Sequence, residues 1–315
     1  MNIEDKMSNL TDDSSKPIIP IDVIIPIYNR HEMLYKALQS IENQTSIPTN
    51  VIIVDDSSSP AITLPSLNFT FSITLIRNNY NKGASSSRNI GVNASSEKYI
   101  AFLDSDDLWL TDKLEKQYKL AELSQADLVY CDHKIVSPTG QFYSSQKELY
   151  TQDILENLLD FWVPPNTSTL LFRRSAFLEI GGFDENLGTC EDHDLWFRVA
   201  QSNLKVNCVR EPLSVFFHHS QERLSFNFDK RLSGIEKFLD NQKEIFLLTK
   251  GYKSLKIFSR KYYARVFLPL CTRSLKNRKF LLFVRSLSMI AFNPEAYKIA
   301  YAKLIKLITY RSSRA

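Results

Sequence analysis

Three aspartates directly follow a short apolar run, and their spacing suits metal chemistry. Residues 99–103 form the run, and Asp104, Asp106 and Asp107 place three carboxylates within four positions. Burying three like charges without a partner is costly, and a divalent cation is the simplest partner that offsets their repulsion. Oxygen ligands of this kind suit Mg²⁺ or Mn²⁺, which usually bind substrate phosphates as well. The alternative is that one aspartate only caps the segment that begins at Leu108.

Two further polar clusters follow apolar runs that are typical of buried strands. A Tyr-Asn-Arg segment at 28–30 comes after residues 22–26, and an Asp-Asp pair at 55–56 comes after residues 50–54. Each cluster alone is also explained as a turn or a helix cap. Because ligands bind at the carboxyl ends of the strands in such sheets, the three clusters together indicate a binding crevice.

These clusters depend on a sheet whose strands alternate with helices. The pattern predicts strands at residues 22–26, 50–54, 71–76, 99–103 and 128–130, with helical segments between them. This alternation predicts an α/β fold with a mostly parallel sheet flanked by helices. The chain has only eight glycines, and no glycine-rich phosphate-binding motif follows the first strand. That absence argues against a dinucleotide-binding Rossmann domain and against a P-loop nucleotidase.

A second acidic group opens a predicted helix at residues 190–201. Glu191, Asp192 and Asp194 lie in its first turn. Each carboxylate there stabilises the helix by about a few tenths of a kcal/mol through its interaction with the helix dipole. Asp194 stands four residues before Arg198, so we expect an ion pair and a structural role for it. Around this helix the pattern predicts strands at 168–172, 204–209 and 213–217 and a short helix at 174–180.

Charge is divided unevenly along the chain. Residues 1–228 carry 19 Lys and Arg against 30 Asp and Glu, whereas residues 229–315 carry 20 against 5, so the net charge of +4 conceals an acidic body and a basic tail. The four cysteines have no Cys-x-x-Cys spacing, and the first 20 residues lack the apolar core of a signal peptide. We therefore expect free thiols and a cytoplasmic protein.

The ordered motifs resemble those of one enzyme family. They are Val-Ile-Ile-Pro-Ile-Tyr-Asn-Arg at 23–30, Val-Asp-Asp-Ser-Ser at 54–58, Asn-Lys-Gly at 81–83, Arg-Asn at 88–89, Leu-Asp-Ser-Asp-Asp at 103–107, Gly-Gly-Phe-Asp at 181–184, Glu-Asp-His-Asp-Leu-Trp-Phe-Arg at 191–198, and His219. Together they resemble a family 2 glycosyltransferase of the GT-A fold, of the bacterial surface-polysaccharide type, over about residues 21–225. The resemblance implies an inverting transfer of a sugar from a nucleotide-sugar donor, with UDP as the expected nucleotide. The acceptor would be a hydroxyl of a glycan or of a lipid-linked sugar.

The resemblance also implies which residues contact the donor nucleotide. Pro26, Tyr28 and Asp56 would line the nucleoside pocket, where Asp56 accepts from a pyrimidine N–H and Tyr28 stacks on the base. Three basic residues are implied to lie near the diphosphate or to support it. They are Arg30, Lys82 and Arg88.

The acidic cluster matches the Asp-x-Asp motif of the family. Asp104, Ser105 and Asp106 occupy its three positions, and the two outer residues are implied to bind ribose and a divalent metal. A cation between carboxylates and phosphates would neutralise the charge that grows as the nucleoside diphosphate departs. His219 matches a position that completes the metal site in some members; the alternative is a strand-end histidine bonded to backbone.

On the acceptor side, the resemblance implies a catalytic base. The Glu191–Asp192 pair matches the family's Glu-Asp motif, in which the aspartate usually takes the acceptor proton. Glu191 would position the acceptor or, as the alternative, serve as the base in place of Asp192. Trp109 and Trp162 are candidates for stacking on an acceptor sugar, and the alternative for both is an ordinary place in the core.

The chain is expected to have three parts: a disordered segment at 1–20, a catalytic domain at 21–228 and a basic helical extension at 229–315. The extension lies outside the resemblance.

Apolar residues between 297 and 308 fall on one helical face with lysines outside it, which favours contact with an anionic membrane. The alternative is a helical cap on the catalytic domain. No recognition motif supports binding of nucleic acid.

Two other functions compete with a glycosyltransferase. An Asp-x-Asp motif at a strand end also occurs in haloacid dehalogenase-type phosphohydrolases, but there it lies on the strand that opens the domain, whereas here two strands with polar ends of their own come first. A non-catalytic nucleotide-sugar binding or assembly protein is the second alternative. Both the Asp-x-Asp motif and the Glu-Asp pair are intact, which favours an enzyme.

Overall fold

The computed structural model describes residues 16–64, 68–136, 142–144, 149–217, 228–276, 279–295 and 297. Across these residues the chain forms a nine-stranded sheet with helices on both faces. The sheet is parallel through its first four strands and mixed beyond them. The α/β class predicted from the sequence is confirmed.

The first half of the sheet brings the predicted strand ends to one edge. Its elements are β1 Ile18–Ile27, α1 His31–Glu42, β2 Ile47–Asp55, β3 Ser72–Arg77, α2 Ala84–Ala94 and β4 Tyr99–Phe102. The four strands are parallel in the order β3–β2–β1–β4. β1 begins at Ile18, inside the segment that was expected to be disordered, because Ile18 and Ile19 pair with Ile47 and Pro48 of β2.

The second half of the sheet continues beside β4. Its elements are β5 Leu108–Trp109, α3 Lys113–Ser124, β6 Leu128–Val136, β7 Phe142–Ser144, α4 Ile154–Leu159, β8 Leu171–Arg173, α5 Arg174–Glu179, α6 Glu191–Gln201 and β9 Val206–Phe217. The order runs β4–β8–β6–β9–β5, with β7 paired to β6. β8 is antiparallel to both of its neighbours, β4 and β6.

Two sequence predictions in this half differ from the structure. The strands predicted at 204–209 and 213–217 form a single strand, β9, whose register against β6 shifts between Val209 and Ser214. Pro212 lies in this irregular stretch, where a residue without a backbone N–H is tolerated. The strand predicted at 168–172 is shorter, because a 3₁₀ turn at Thr167–Thr169 precedes β8.

Side chains of β1 alternate between two hydrophobic cores on opposite faces of the sheet. Val23 and Ile25 belong to the core covered by α1 and α3, whereas Ile24 belongs to the larger core on the other face. Alternation of this kind is expected of a strand buried on both faces. The larger core also contains Trp196 and Phe197 of α6.

Four C-terminal helices extend the larger core. They are α7 Phe228–Asn241, α8 Lys243–Thr249, α9 Gly251–Lys276 and α10 Phe280–Ser288. Phe238 and Phe258, from α7 and α9, pack against Phe197 of α6 with ring centroids 5.7 and 6.2 Å away. The described part of the extension therefore packs against α6, whereas most of the amphipathic segment predicted at 297–308 lies outside the described residues. In the part of the chain that the structure describes, no helix has the length and apolarity needed to cross a membrane.

Candidate active site

Side-chain hydrogen bonds join the ends of β1 and β2. The backbone N–H of Asn29 donates to Ser58 Oγ over 2.9 Å, and the N–H of Ser59 donates to Asn29 Oδ1 over 2.8 Å. Asn29 has a φ of 54°, a left-handed conformation that asparagine tolerates better than most residues. The turn holds Tyr28 at the sheet edge with 45% of its surface exposed, so its ring can stack on a base.

Asp55 is a structural residue. Its carboxylate accepts from the N–H groups of Ser58 and Ile62 and pairs with Arg77. Burial alone would raise the pKa of Asp55, but these hydrogen bonds and the Arg77 charge together lower it. Asp55 therefore remains ionised and stabilises the turn after β2.

Asp56 fixes the loop that precedes α2. Its carboxylate accepts from the backbone N–H groups of Lys82 and Gly83 and from the Asn78 side chain, each over 2.8 Å. Gly83 has a φ of 92°, which side-chain-bearing residues rarely adopt. Asp56 Oδ2 accepts one of these bonds, from Gly83, and a carboxylate oxygen can accept two. The predicted contact with a nucleobase N–H therefore remains compatible with this geometry.

Arg88 connects the two acidic motifs. Its Nη2 lies 2.6 Å from Asp104 Oδ1, and its Nη1 lies 3.3 Å from Glu191 Oε1. The side chain is 4% exposed and its guanidinium carbon is 5.1 Å from the centroid of the Phe183 ring. Burial opposes the charge of Arg88, but the two carboxylates outweigh that effect and raise its pKa. The Asp-x-Asp and Glu-Asp motifs thus meet at one buried cation.

The three aspartates after β4 have different partners. Asp106 pairs with Arg30 over 2.5 Å, so both predicted metal-binding carboxylates contact an arginine. Asp107 is buried and accepts a hydrogen bond from Ser168 Oγ over 2.6 Å. Ser168 Oγ in turn accepts a hydrogen bond from the backbone N–H of Asp104 over 3.1 Å. Asp107 therefore anchors the cluster to the 3₁₀ turn.

Glu191 and Asp192 lie at the start of α6 with perturbed acidity. Burial raises the pKa of both carboxyl groups, and the Asp192 charge raises that of Glu191 further. The positive charge of Arg88 opposes the shift on both groups, and that of Arg265 opposes it on Asp192. A carboxylate with a raised pKa is a stronger proton acceptor, which is what a general base requires.

Asp194 has a structural role, as predicted. Its carboxylate pairs with Arg198 over 2.8 Å and accepts from the side chains of Asn241 and Gln242 over 3.3 and 3.2 Å. These bonds tie α6 to the end of α7 and to the residue before α8. The expected ion pair within α6 is confirmed.

Trp109 has the contacts of a core residue. It is 4% exposed, its indole N–H donates to the Ser168 carbonyl over 2.8 Å, and Lys113 Nζ lies 4.0 Å from its ring centroid. The alternative stated for Trp109, a place in the core, agrees with these contacts. Trp162 is half-buried at the border of the larger core, with its ring 5.6 Å from that of Trp196.

The remaining predicted residues occupy varied positions. Pro26 and Ser105 are buried, whereas Lys82 is exposed with its Nζ 5.5 Å from the centroid of the Tyr80 ring. His219 lies outside the described residues, so its predicted role stays a prediction.

The donor set suits a divalent metal held jointly with phosphate. Among the described residues, no group of three or more His, Cys, Asp or Glu side chains is arranged to hold a metal ion. Mg²⁺ is commonly bound by one or two carboxylates together with water and substrate phosphates. Asp104 and Asp106 supply hard oxygen ligands of that kind, and a bound diphosphate would supply the others.

Sequence reasoning missed the residues that hold the motifs together. Asn89 accepts the N–H of Phe183 and donates to its carbonyl, both over 2.9 Å, and thereby fixes the turn that follows α5. A Cβ at Gly182 would approach Asn89 Oδ1 to 2.8 Å, so this turn needs glycine there. The ordered motifs contained both residues but gave no sign of their contact. Asn78 and Ser168 lie outside every motif.

Curated relatives of this chain are glycosyltransferases. An uncharacterised glycosyltransferase of Haemophilus influenzae is 29% identical over 73% of this chain and 78% of its own length. An Escherichia coli protein, the UDP-Glc:alpha-D-GlcNAc-diphosphoundecaprenol beta-1,3-glucosyltransferase WfgD, is 33% identical over 44% of this chain and 55% of its own length. The match to an uncharacterised glycosyltransferase of Rickettsia bellii spans 27% of that protein.

Solved structures show the same fold. The crystal structure of Staphylococcus aureus TarS 1–349 matches with a TM-score of 0.54 at 15% identity, over 90% of this chain and 92% of that one. The same fragment in complex with UDP-GlcNAc matches with a TM-score of 0.55. This likeness confirms the GT-A fold that the motifs implied.

The model of one protein family covers half of the chain, including the motifs at 23–30 and 54–58 and the Asp-x-Asp cluster. It is the model of glycosyl transferase family 2, and it matches residues 22–181. The match ends before Glu191 and Asp192, and the buried guanidinium of Arg88 connects Glu191 to the matched part. The motifs, the fold and this match agree, and the chain belongs to glycosyl transferase family 2.

Proposed function

We propose that this glycosyltransferase moves a sugar from a UDP-sugar to an acceptor hydroxyl with inversion, and that Asp192 is the base. The observation that carries the proposal is the Arg88 bridge, which places the Asp-x-Asp cluster and the Glu-Asp pair around one cation. The complexes of TarS with UDP and UDP-GlcNAc, and the name of the Escherichia coli relative, support a UDP-sugar donor.

In the proposed reaction, the acceptor oxygen attacks the anomeric carbon from the face opposite the diphosphate. The new carbon–oxygen bond forms as the bond to the diphosphate breaks, the electron pair leaves with UDP, and Asp192 takes the hydroxyl proton. Glu191 accepts from Arg88 and stands beside Asp192, where it can orient the acceptor. Tyr28 and Asp56 hold the nucleoside, and Lys82 and Arg30 lie on the diphosphate side.

A divalent metal fits the same proposal. Asp104 and Asp106 would hold Mn²⁺ or Mg²⁺, with His219 as a further candidate ligand. The ion would supply positive charge against the departing diphosphate. Arg88 and Arg30 contact the same carboxylates and keep them oriented.

The proposed acceptor is a lipid-linked sugar or a growing glycan in the synthesis of a cell-surface polysaccharide. The Escherichia coli relative, whose name specifies a diphosphoundecaprenol-linked acceptor, supports this class. We also propose that the enzyme works in the cytoplasm at the inner face of the membrane, where such acceptors are carried.

The test is donor turnover by the Asp192→Asn variant. Hydrolysis or transfer should be followed with a panel of nucleotide sugars, with and without Mn²⁺, and the product anomer read by NMR. We expect Asp192→Asn to lose at least about 100-fold in turnover, because the amide cannot accept a proton. A folded variant with wild-type turnover, or a product that retains the donor configuration, would contradict the proposal.

The pH dependence gives a second readout of the same group. Because burial raises the pKa of Asp192, we expect the wild-type rate to fall at a higher pH than for an ordinary aspartate as the solution is acidified. The rate rises with pH since only the ionised carboxylate accepts a proton. This fall in rate at acidic pH should be absent from the residual activity of Asp192→Asn. If it persists in the variant, the titrating group is not Asp192.

A further inference from the structure

Two arginines of the C-terminal extension lie near the proposed base. Arg231 on α7 and Arg265 on α9 are both half-buried, and both interact electrostatically with Asp192. Arg231 Nη1 donates to the Val266 carbonyl over 3.4 Å, which places it beside the α9 turn that carries Arg265. Neither residue belongs to a motif, and both lie beyond the part matched by the family model.

Close packing fixes these helices against the start of α6. A Cβ at Gly234 of α7 would meet the backbone oxygen and nitrogen of Thr189 at 2.9 and 3.2 Å. Tyr262 of α9 packs its ring edge-on against His193, 5.4 Å between centroids, and its hydroxyl interacts with the Cys190 thiol. These contacts hold the backbones of α7 and α9, which carry the two arginines, against the end of α6 where Asp192 lies.

The positive charges of Arg231 and Arg265 are less fully neutralised by neighbouring carboxylates than those of Arg88 and Arg198. Arg88 contacts two carboxylates and Arg198 contacts one. Among the described residues, Arg265 has no hydrogen bond or ion pair, and Arg231 has only its bond to Val266. Burial lowers the pKa of both, because their charges are only partly offset by Asp192. A half-buried guanidinium with open N–H donors is suited to an anionic ligand.

The proposed function says on which side of the sugar that ligand lies. Inversion places the attacking hydroxyl and the leaving diphosphate on opposite faces of the donor sugar, and Asp192 must be on the side of the hydroxyl. Arg30, Lys82 and the Asp-x-Asp cluster serve the donor phosphates. Arg88 contacts the donor-side Asp104 as well, whereas Arg231 and Arg265 approach Asp192 from the C-terminal helices, and we therefore assign these two arginines to the acceptor side.

We propose that Arg231 and Arg265 form a subsite for a phosphate group carried by the acceptor. This inference rests on the proposed function and adds the acceptor's chemical class to it. Guanidinium groups bind phosphate oxygens through paired, planar N–H donors, and two of them match the charge of a diphosphate better than that of a single carboxylate.

The test is binding of farnesyl diphosphate to the full chain with UDP and Mn²⁺ at saturating concentration, so that the donor site is occupied. Titration calorimetry should compare wild type with Arg265→Gln and Arg231→Gln. We expect each variant to lose about tenfold or more in affinity, since each removes charge-assisted hydrogen bonds to the phosphate. Arg265→Lys should recover only part of the loss, because an ammonium group lacks the planar fork.

The matched control is Lys256→Gln, an exposed residue on the opposite face of the same helix, which should bind farnesyl diphosphate as the wild type does. Inorganic pyrophosphate and farnesol test the diphosphate and the isoprenoid chain of the probe separately. A preference for farnesyl diphosphate over pyrophosphate assigns the subsite to a lipid-carried phosphate, and equal affinity assigns it to a phosphate without lipid; both require the loss in the arginine variants.

Farnesyl diphosphate affinity within twofold of wild type in both folded arginine variants would overturn the subsite, even if their pH profiles changed. That result would make Arg265 a positioning residue for Asp192. Failure of the wild type to bind UDP or turn over any donor would instead contradict the proposed function. The farnesyl diphosphate titration is repeated without UDP, so the subsite is tested in either case.

Discussion

At the scale of single residues, Arg88 determines how three acids can coexist in the site. Asp104 and Glu191 contact it directly, and Asp192 is stabilised by its charge. Removal of one partner from a buried ion pair commonly destabilises a protein by about 3–5 kcal/mol, because the other charge is left uncompensated. Arg88 therefore contributes to folding as well as to the charge balance of the site.

We expect Arg88→Met to lower the free energy of unfolding by about 3 kcal/mol and to abolish turnover. Urea denaturation gives the first quantity and the donor assay the second. The control is Lys98→Met, which breaks an exposed pair with Glu122 and should change stability by less than about 1 kcal/mol. Equal losses in the two variants would show that burial of Arg88 has no special effect.

The candidate site residues could be named from their order in the sequence, but their partners in the structure could not. The acidic cluster was visible because three carboxylates after an apolar run are unusual. Its division into Asp106 facing Arg30 and Asp107 facing Ser168 was not, since Ser168 lies 61 residues from Asp107 along the chain. Arg265 gave no signal, because one arginine in a basic helix looks like any other.

At the scale of secondary-structure elements, the contact between α7 and the turn before α6 has almost no spare room. Gly234 allows it: a Cβ would lie 2.3 Å from Thr189 Oγ1 and 2.9 Å from the Thr189 carbonyl oxygen. Rotation of the threonine can relieve the first contact, but the second involves backbone. Any larger residue must displace α7.

We expect Gly234→Ala to destabilise the protein by about 1–3 kcal/mol through overpacking, and to weaken acceptor-side binding more than UDP binding. Thermal unfolding and separate titrations of UDP and farnesyl diphosphate measure these effects. Gly188→Ala is the control, since its Cβ would meet nothing within 4 Å. Similar results for the two variants would argue against the close approach.

Three strands of the first half of the sheet, β1, β2 and β4, were predictable because each is an apolar run buried on both faces. β3 was predictable from its apolar run alone, since it lies largely exposed at the edge of the sheet. β8 and β9 were harder. β8 has only three residues, and β9 contains a polar stretch around Pro212 that looks like a turn in the sequence. The mixed direction of the second half depends on pairing between distant segments, such as Leu128 with Phe172, which no local pattern reports.

At the scale of the whole molecule, the C-terminal extension combines a high positive charge with exposed apolar side chains. Residues 229–315 carry 20 basic and 5 acidic residues, and α10 exposes Phe280 and Leu281 at 75% and 74%. Val284 and Leu287 are exposed on the same helix. An apolar helical face in a basic segment is suited to an anionic lipid surface, which supports the proposed membrane contact.

We expect the full chain to sediment with phosphatidylglycerol vesicles and much less with phosphatidylcholine vesicles. The double variant Phe280→Gln, Leu281→Gln should partition onto the phosphatidylglycerol vesicles about tenfold more weakly or worse. The reason is that two apolar side chains no longer transfer from water into the lipid. Leu123→Gln, which removes a leucine 85% exposed on α3, should have no effect. Unchanged sedimentation of the double variant would assign α10 to another surface.

The aromatic packing of Phe197 against Phe238 and Phe258 has a consequence for recombination between relatives. The charge pattern divides the chain near residue 228, but a chimera joined there would combine the proposed base of one parent with the arginines of another. A crossover at the exposed residues 185–186 would transfer α6 to α10 as one unit. Donor preference and acceptor preference should then be inherited from different parents.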